Sequence, residues 1–288
     1  MTSKGSLSDT INPTSLRRLS IEEDPVYNNF IWFLKFNLGV EKPMQAGDPR
    51  IIKEDIRRRI WLIMEESNIA RFPRPVYGRI PNFAGSDIAA RRLFEQEEFK
   101  KAEVIKVNPD APQSMVRYLT LLSGKTLLMP TPRLKSGFLI LDPNKIPRKA
   151  YSDASSIRGA FKYGRTCRVD EMPNVDLIVA GSVAVSRDGV RVGKGGGYSE
   201  IEYGILREIG AADESTPIFT TVHDVQIVDF VPKEAYDLTV NAIITPEKVI
   251  RIENVGERPR GIIWDKMPEE RIKEIPILAW LRRFKAST

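Results

Sequence analysis

The sequence predicts an α/β protein: an open, mostly parallel sheet with helices on both faces and an extension at each end. Three observations predict it. From about residue 102 onward, short β-rich runs alternate with helical stretches, the pattern of strands joined by covering helices. The run VDLIVAGSVAV (175–185) is almost continuously apolar, as a strand buried on both faces must be. A glycine-rich loop then leads from that run directly into a helical pattern. The 288 residues suit one large domain with extensions as well as two average domains. The expected division is a partly disordered N-terminal extension (1–48), an α/β domain (49–254) and a C-terminal helical brace with a basic end (255–288).

Each element has its local reason. The aromatic stretch Tyr27 to Phe36 (YNNFIWFLKF) reads as a short helix or strand. Asp48 and Pro49 look like an N-cap and a first-turn proline, opening a helix with Ile56, Ile60, Ile63 and Met64 along one face. A second helix is expected over Ser86 to Phe99, with Ser86 as its cap. AEVIKVN (102–108) reads as a strand, and QSMVRYLTLLSG (113–124) as a helix ended by Gly124. KTLLMP (125–130) and GFLILD (137–142) read as further strands. The run at 175–185 is expected to be the central strand. A helix over 199–209, a strand at 216–224 and a closing β pair at 240–252 complete the pattern.

Composition narrows the function. There are 44 Lys plus Arg against 38 Asp plus Glu, a net charge of +6, with one Cys and one His. These counts exclude an internal disulfide, a zinc finger and a His-rich metal site, and suit a reducing compartment. No apolar run approaches the ~20 residues of a membrane span. The opening MTSKGSLSDTINPTS has no signal-like apolar centre, so a cytoplasmic protein without membrane contact is expected. Residues 133–168 hold nine Lys or Arg and two Asp, a local +7 that leaves the rest of the chain at −1. A small acidic ligand explains that concentration better than nucleic acid, because no basic strand carries interleaved aromatics.

The strongest chemical signal is GVRVGKGGGYSEIEYGILREIG (189–210), where Gly193, Gly195, Gly196 and Gly197 surround Lys194. Glycines let backbone N–H groups turn towards an anion, and a following helix N-terminus adds a favourable dipole. The loop matches neither a Walker A motif nor the Rossmann fingerprint, because no Gly-Lys-Ser/Thr closes it and Tyr198 stands where the last glycine is needed. A flexible hairpin tip fits the glycines too; Arg191 and Lys194 favour phosphate. Lys53 and Arg57 share one helix face, to meet an anion or solvent. Glu200 and Glu202 open the helix after the loop, suited to Mg²⁺ beside phosphates or to the helix dipole. Asp237 is another Mg²⁺ candidate or a turn residue. His223 reads as a hydrogen-bonded structural histidine and Cys167 as a structural thiol.

With these residues in view, the chain resembles the 5-formyltetrahydrofolate cyclo-ligase (methenyltetrahydrofolate synthetase) family over about residues 50–252, and its domain-containing branch in GIIWDKM and EIPILAWLR. The likeness lies in the Lys53-to-Arg57 helix, GKTLLMP, DLIVAGSVAVSRDGVRVGKGGGYSEIE and TTVHDVQIVDFVPKEAYDLTVNAIIT. The nucleic-acid-binding module that some members of that branch append has no counterpart here. The resemblance implies an open sheet of the NagB/RpiA/CoA-transferase-like kind. It also implies ATP- and Mg²⁺-dependent cyclisation of 5-formyltetrahydrofolate to 5,10-methenyltetrahydrofolate, with a reduced folate as the partner. Carried over, Lys53 and Arg57 hold ATP phosphates, and Arg191 with Gly193, Lys194, Gly195, Gly196, Gly197 and Tyr198 cradles the triphosphate, Arg191 and Lys194 serving catalysis. Glu200 and Asp237 flank Mg²⁺, and Asp110 with Tyr198 meets substrate. The chain departs from the family's pattern at Gly196 (usually Lys), Ser199 (Tyr), Glu200 (Asp), Ala180 (Pro) and the weakened pair Asp110 and Gln113. A nucleotide- or folate-binding protein with weak turnover is the rival expectation.

Overall fold

The structure, a computed structural model, describes residues 47–286. The expectations for residues 1–46, including the element at 27–36, lie outside the described residues. Helix α1 (Pro49–Glu66) starts as expected, with the Arg50 N–H donating to the Asp48 carboxylate at 2.9 Å and Pro49 in the first turn. A short antiparallel pair, β1 (Ala70–Arg71) and β2 (Asn82–Phe83), follows. The single helix expected over 86–99 is two, α2 (Ser86–Phe94) and α3 (Glu97–Lys101). Gln96 turns extended between them, and its side-chain amide donates to the Arg92 carbonyl. Ser86 is not the cap; Gly85 is, at φ 80°, where a Cβ would also meet Pro246 at 2.9 Å.

Next come β3 (Val104–Val107), α4 (Ser114–Leu122), β4 (Thr126–Pro130) and β5 (Phe138–Leu141), where the pattern places them. The basic segment supplies α5 (Tyr151–Ala154), α6 (Ile157–Tyr163) and β6 (Arg165–Cys167). The apolar run at 175–185 is not one central strand. It forms β7 (Leu177–Ala180) and β8 (Ala184–Ser186), which belong to different sheets and part at Gly181. The remaining elements are β9 (Arg191–Val192), α7 (Tyr198–Glu208), β10 (Ile218–Thr221), β11 (Ile227–Val228), β12 (Ala242–Ile244), β13 (Val249–Arg251), α8 (Glu269–Glu274) and α9 (Pro276–Ala286).

The main sheet has eight strands in the order β13-β12-β10-β7-β3-β4-β5-β6. Its five inner strands, β12 to β4, run parallel, and antiparallel strands close both edges. Side chains alternate between two cores. Ile105, Val107, Leu177, Val179 and Phe219 face one core with α1, α2 and α4. Ile178, Ala180, Ile218 and Ile243 face the other, with α7 and the C-terminal residues Ile272, Ile275, Leu278 and Leu281. A two-residue period on each strand, matched by an apolar stripe on each helix, makes an open sheet covered on both faces. From β3 the chain moves outward to β4, whereas from β7 it moves the other way to β10. The carboxyl ends of β3 and β7 therefore flank the topological switch point, where an open α/β sheet leaves a crevice. A second sheet, β11-β8-β9, carries the chain from Gly181 to the glycine loop.

Candidate active site

The switch point gathers Asp110 and the glycine loop, two of the features singled out from the sequence. Asp110 follows β3, Gly181 follows β7, and the loop Gly193–Gly197 enters α7. Gly181 has to lack a side chain: a Cβ there would stand 2.9 Å from Gln113 Oε1, 3.0 Å from Ile80 Cγ2 and 3.1 Å from Asp110 Oδ2. In the loop, Gly195 (φ 94°) and Gly197 (φ 69°) occupy the left-handed region that disfavours other residues. Gly197 caps α7 without a side-chain acceptor, so the amide-rich, positive end of an 11-residue helix begins at the loop.

Ion pairs of Arg191, Lys194, Lys53 and Arg57 organise the charges. Arg191, 2% exposed, donates to the Glu200 carboxylate, to the Gly181 carbonyl at 2.7 Å and to Ser182 Oγ at 3.4 Å. It thereby ties both walls of the crevice together from beneath. Lys194 reaches across to Asp110 at 3.0 Å. Lys53 lies between Asp237 (2.5 Å) and Glu234 (2.8 Å), beside the Tyr236 ring. Burial pushes the Asp237 carboxyl above its ordinary range despite Lys53, and the charge of Glu200 adds to the rise. For Glu234, burial also raises the value, but hydrogen bonds from Lys53 and Tyr236 outweigh it and hold the carboxyl low. Arg57, one turn from Lys53, donates to the Gly193 carbonyl at 2.7 Å and pairs with Glu54 at 3.0 Å. Its neighbour Arg58 shares Glu54 with it, and Arg59 pairs with Asp55.

Other contributors gave little or no sequence signal. Lys106, 1% exposed inside β3, meets Glu202 of α7 at 2.5 Å and Asn108 at 2.9 Å, and Asn108 donates to Ser199 Oγ at 3.0 Å. This buried group fixes the first turn of α7 to β3. Burial raises the Glu202 carboxyl, with Lys106 opposing. A lysine in an otherwise apolar strand was the readable sign of it. Arg117 is buried and donates to the carbonyls of Asn108, Asp110 and Ser155, shaping the turn after β3. Its guanidinium is lowered to about 10 by burial. Gln113 donates to Thr221 at 3.1 Å, and its buried Oε1 has no hydrogen-bond partner. Arg271 of α8 lies against the loop: it donates to Tyr198 Oη and to the Gly196 carbonyl (3.3 Å), and stacks 4.6 Å from the Tyr198 ring.

His223 accepts from the Val225 N–H at 3.3 Å and meets Phe83 edge-on, as a structural histidine does; burial lowers its pKa. Burial pushes the Cys167 thiol up to about 11, which suits packing and not nucleophilic attack. The basic segment at 133–168 pairs locally, through Lys145, Lys162, Arg165 and Arg168. The side chains that hold the loop, Arg57 and Arg271, come from elsewhere. No group of three or more His, Cys, Asp or Glu among the described residues is placed to bind a metal, and no described helix is long and apolar enough to cross a membrane.

Fold and site together define an open α/β protein whose switch-point crevice is roofed by a glycine loop and bordered by paired cations. The sequence model of the 5-formyltetrahydrofolate cyclo-ligase family matches residues 51–246, and this chain belongs to that family. It is 44% identical over 242 residues to the methenyltetrahydrofolate synthase domain-containing protein of Bos taurus, and 42% over 243 residues to that of Homo sapiens. Each match covers 82% of this chain and 63% of the relative, so the chain spans less than two thirds of these curated relatives. A solved structure of 5,10-methenyltetrahydrofolate synthetase from Aquifex aeolicus aligns at 16% identity and a TM-score of 0.46, covering 72% of this chain and 95% of that one.

Proposed function

We propose that this chain is an ATP- and Mg²⁺-dependent cyclo-ligase-type enzyme that converts 5-formyltetrahydrofolate to 5,10-methenyltetrahydrofolate, or acts as a close paralogue on a related formylated or amide-bearing compound. The observation that carries the reading is the glycine loop at the N-terminus of α7, held over the switch point between Arg57 and Lys194. The residues fit a triphosphate. A Cβ at Gly197 would meet nothing within 4 Å, the left-handed glycines leave the backbone approachable, and Lys194 is half-exposed. Mg²⁺ needs only one or two carboxylates beside phosphate oxygens, which Glu200 and Asp237 would supply. Bound ATP supplies a phosphoryl group that turns the formyl oxygen into a leaving group.

The chain's part is alignment and charge. Lys194, released from Asp110 by a better anion, neutralises phosphate oxygens, and Asp110 is left to accept a hydrogen bond from substrate. Arg191 is buried too deeply to lead; it keeps Glu200 and the Gly181 carbonyl in register. Gln113 Oε1 offers an acceptor to a substrate N–H at the wall of the crevice. A second reading, a nucleotide- or folate-binding protein with weak turnover, is favoured by one observation: Lys53 and Lys194 both have carboxylate partners already, so each must trade one anion for another. Mixing the protein with 5-formyltetrahydrofolate, ATP and Mg²⁺ while following methenyl absorbance separates them. Product is expected in wild type, and Lys194→Ala should weaken ATP binding about tenfold, the worth of one charged hydrogen bond. Tight ATP or folate binding with no product supports the second reading; binding of neither sinks both.

A further inference from the structure

We propose that the C-terminal segment is a strap that holds the glycine loop in its ligand-ready shape, with Arg271 as the positioning residue. Arg271 lies outside the stretch matched by the family's sequence model, 75 positions beyond the loop glycine whose carbonyl it binds. Its guanidinium grips the loop in three ways: a hydrogen bond to the Gly196 carbonyl, another to Tyr198 Oη, and a stack on the Tyr198 ring. The identity of residue 196 belongs to the same contact. Its backbone does not have positive φ, yet a Cβ there would stand 2.9 Å from Tyr198 Cδ2 and 3.1 Å from Cε2. Glycine at 196 therefore lets the Tyr198 ring fold back against the loop, where Arg271 covers it.

The strap is anchored in the second core, whereas the loop is rich in glycine. Ile272, Ile275 and Leu278 are buried in the second core, and an exposed pair between Arg282 and Glu269 at 2.6 Å links α9 to α8. Four glycines in the five residues 193–197 give the free loop many conformations. Of the contacts to this loop, that of Arg57 fixes its start at Gly193, whereas that of Arg271 fixes its end at the mouth of α7. Arg271 also pairs with Glu274 of its own helix at 3.3 Å, and its side chain is 30% exposed, so the guanidinium is steadied from α8 while it reaches the loop.

This inference rests on the reading that the loop is the phosphate site, and its test separates the two. Hydrogen exchange of the 194–199 amides and ATP·Mg²⁺ affinity by calorimetry are compared in the full chain for wild type, Arg271→Ala, Arg271→Lys and Tyr198→Phe. In Arg271→Ala the loop amides should exchange faster while those of β7 and α9 keep their protection. If the ligand-ready loop falls to about a tenth of the population, ATP affinity falls about tenfold. Arg271→Lys, which keeps the charge but loses the planar fork that reaches the two acceptors from two nitrogens, should fall between. Tyr198→Phe, which keeps the ring stack and loses one acceptor, should change less than Arg271→Ala. Unchanged loop exchange in Arg271→Ala overturns the strap whatever ATP does. Faster loop exchange in a protein that binds no ATP upholds the strap and overturns the phosphate reading.

Discussion

Lys53 gives up nearly all its hydration to lie between Asp237 and Glu234, and that environment sets what its loss would do. A buried ion pair is close to neutral when replaced whole, but removing one partner leaves an uncompensated charge costing about 3–5 kcal/mol. Lys53→Met should show a loss of that order in urea unfolding, with Lys53→Met/Asp237→Asn recovering part of it. Additive losses in the double variant would mean that the pair is not coupled. Glu202 makes a pH prediction. Burial raises its folded-state pKa above the ordinary 4.5, so the folded chain binds this proton more readily than the unfolded chain. Its contribution is complete below that ordinary value and is lost as pH rises through the folded-state value. The stability of wild type relative to Glu202→Gln should therefore grow as pH falls from 7 towards 4.5; a flat difference across that window would refute it. Sequence alone made Lys53, Asp237 and Glu202 candidates, but gave no sign of which charge meets which. Those partners stand far apart in the chain, and only folding sets the distances that govern a pair.

The element that shaped the site most is the break at Gly181. An unbroken strand over 175–185 satisfies hydrophobic periodicity, because β7 and β8 are both fully buried and read alike. The chain parts there because Asp110 and Gln113 from the turn after β3 occupy the space a side chain would need. Gly181→Ala should push those two residues from the crevice and, as overpacking at a well-filled site, cost about 1–3 kcal/mol. Weaker binding of ATP or 5-formyltetrahydrofolate is expected in titration even where the variant stays folded; wild-type affinity would show that Asp110 does not face the ligand. By contrast the glycine loop and α7 were readable, since positive-φ glycines and a helix start are local properties. Ser86 reads as a cap from sequence, and the structure places the cap at Gly85, for the complementary reason. Its neighbour Gly85 is fixed by Pro246, more than 150 positions away.

Across the whole molecule, the sheet has two covered faces, and the C-terminal helices supply part of the cover on the second. Leu278 is fully buried there beside Ile275 and Leu281. Leu278→Ala should destabilise the entire protein by about 2–5 kcal/mol, the range for emptying a packed leucine site. It should do so in a single cooperative transition; an early, separate loss of the tail signal would mean that the tail folds on its own. The alternation of β-rich and helical runs, the apolar centre of the sheet, the cap of α1 and the glycine loop were set by the sequence itself, because each depends on residues within one or two turns of one another. Tertiary structure alone decided the strand order that creates the switch point, the division of 175–185 between two sheets, and the pairing of Lys53, Lys106, Arg191 and Lys194. It also placed Arg271 on the loop. The physical reason is common to these: contacts between residues distant in the chain depend on which surfaces the packed elements bring together, and no local pattern encodes that.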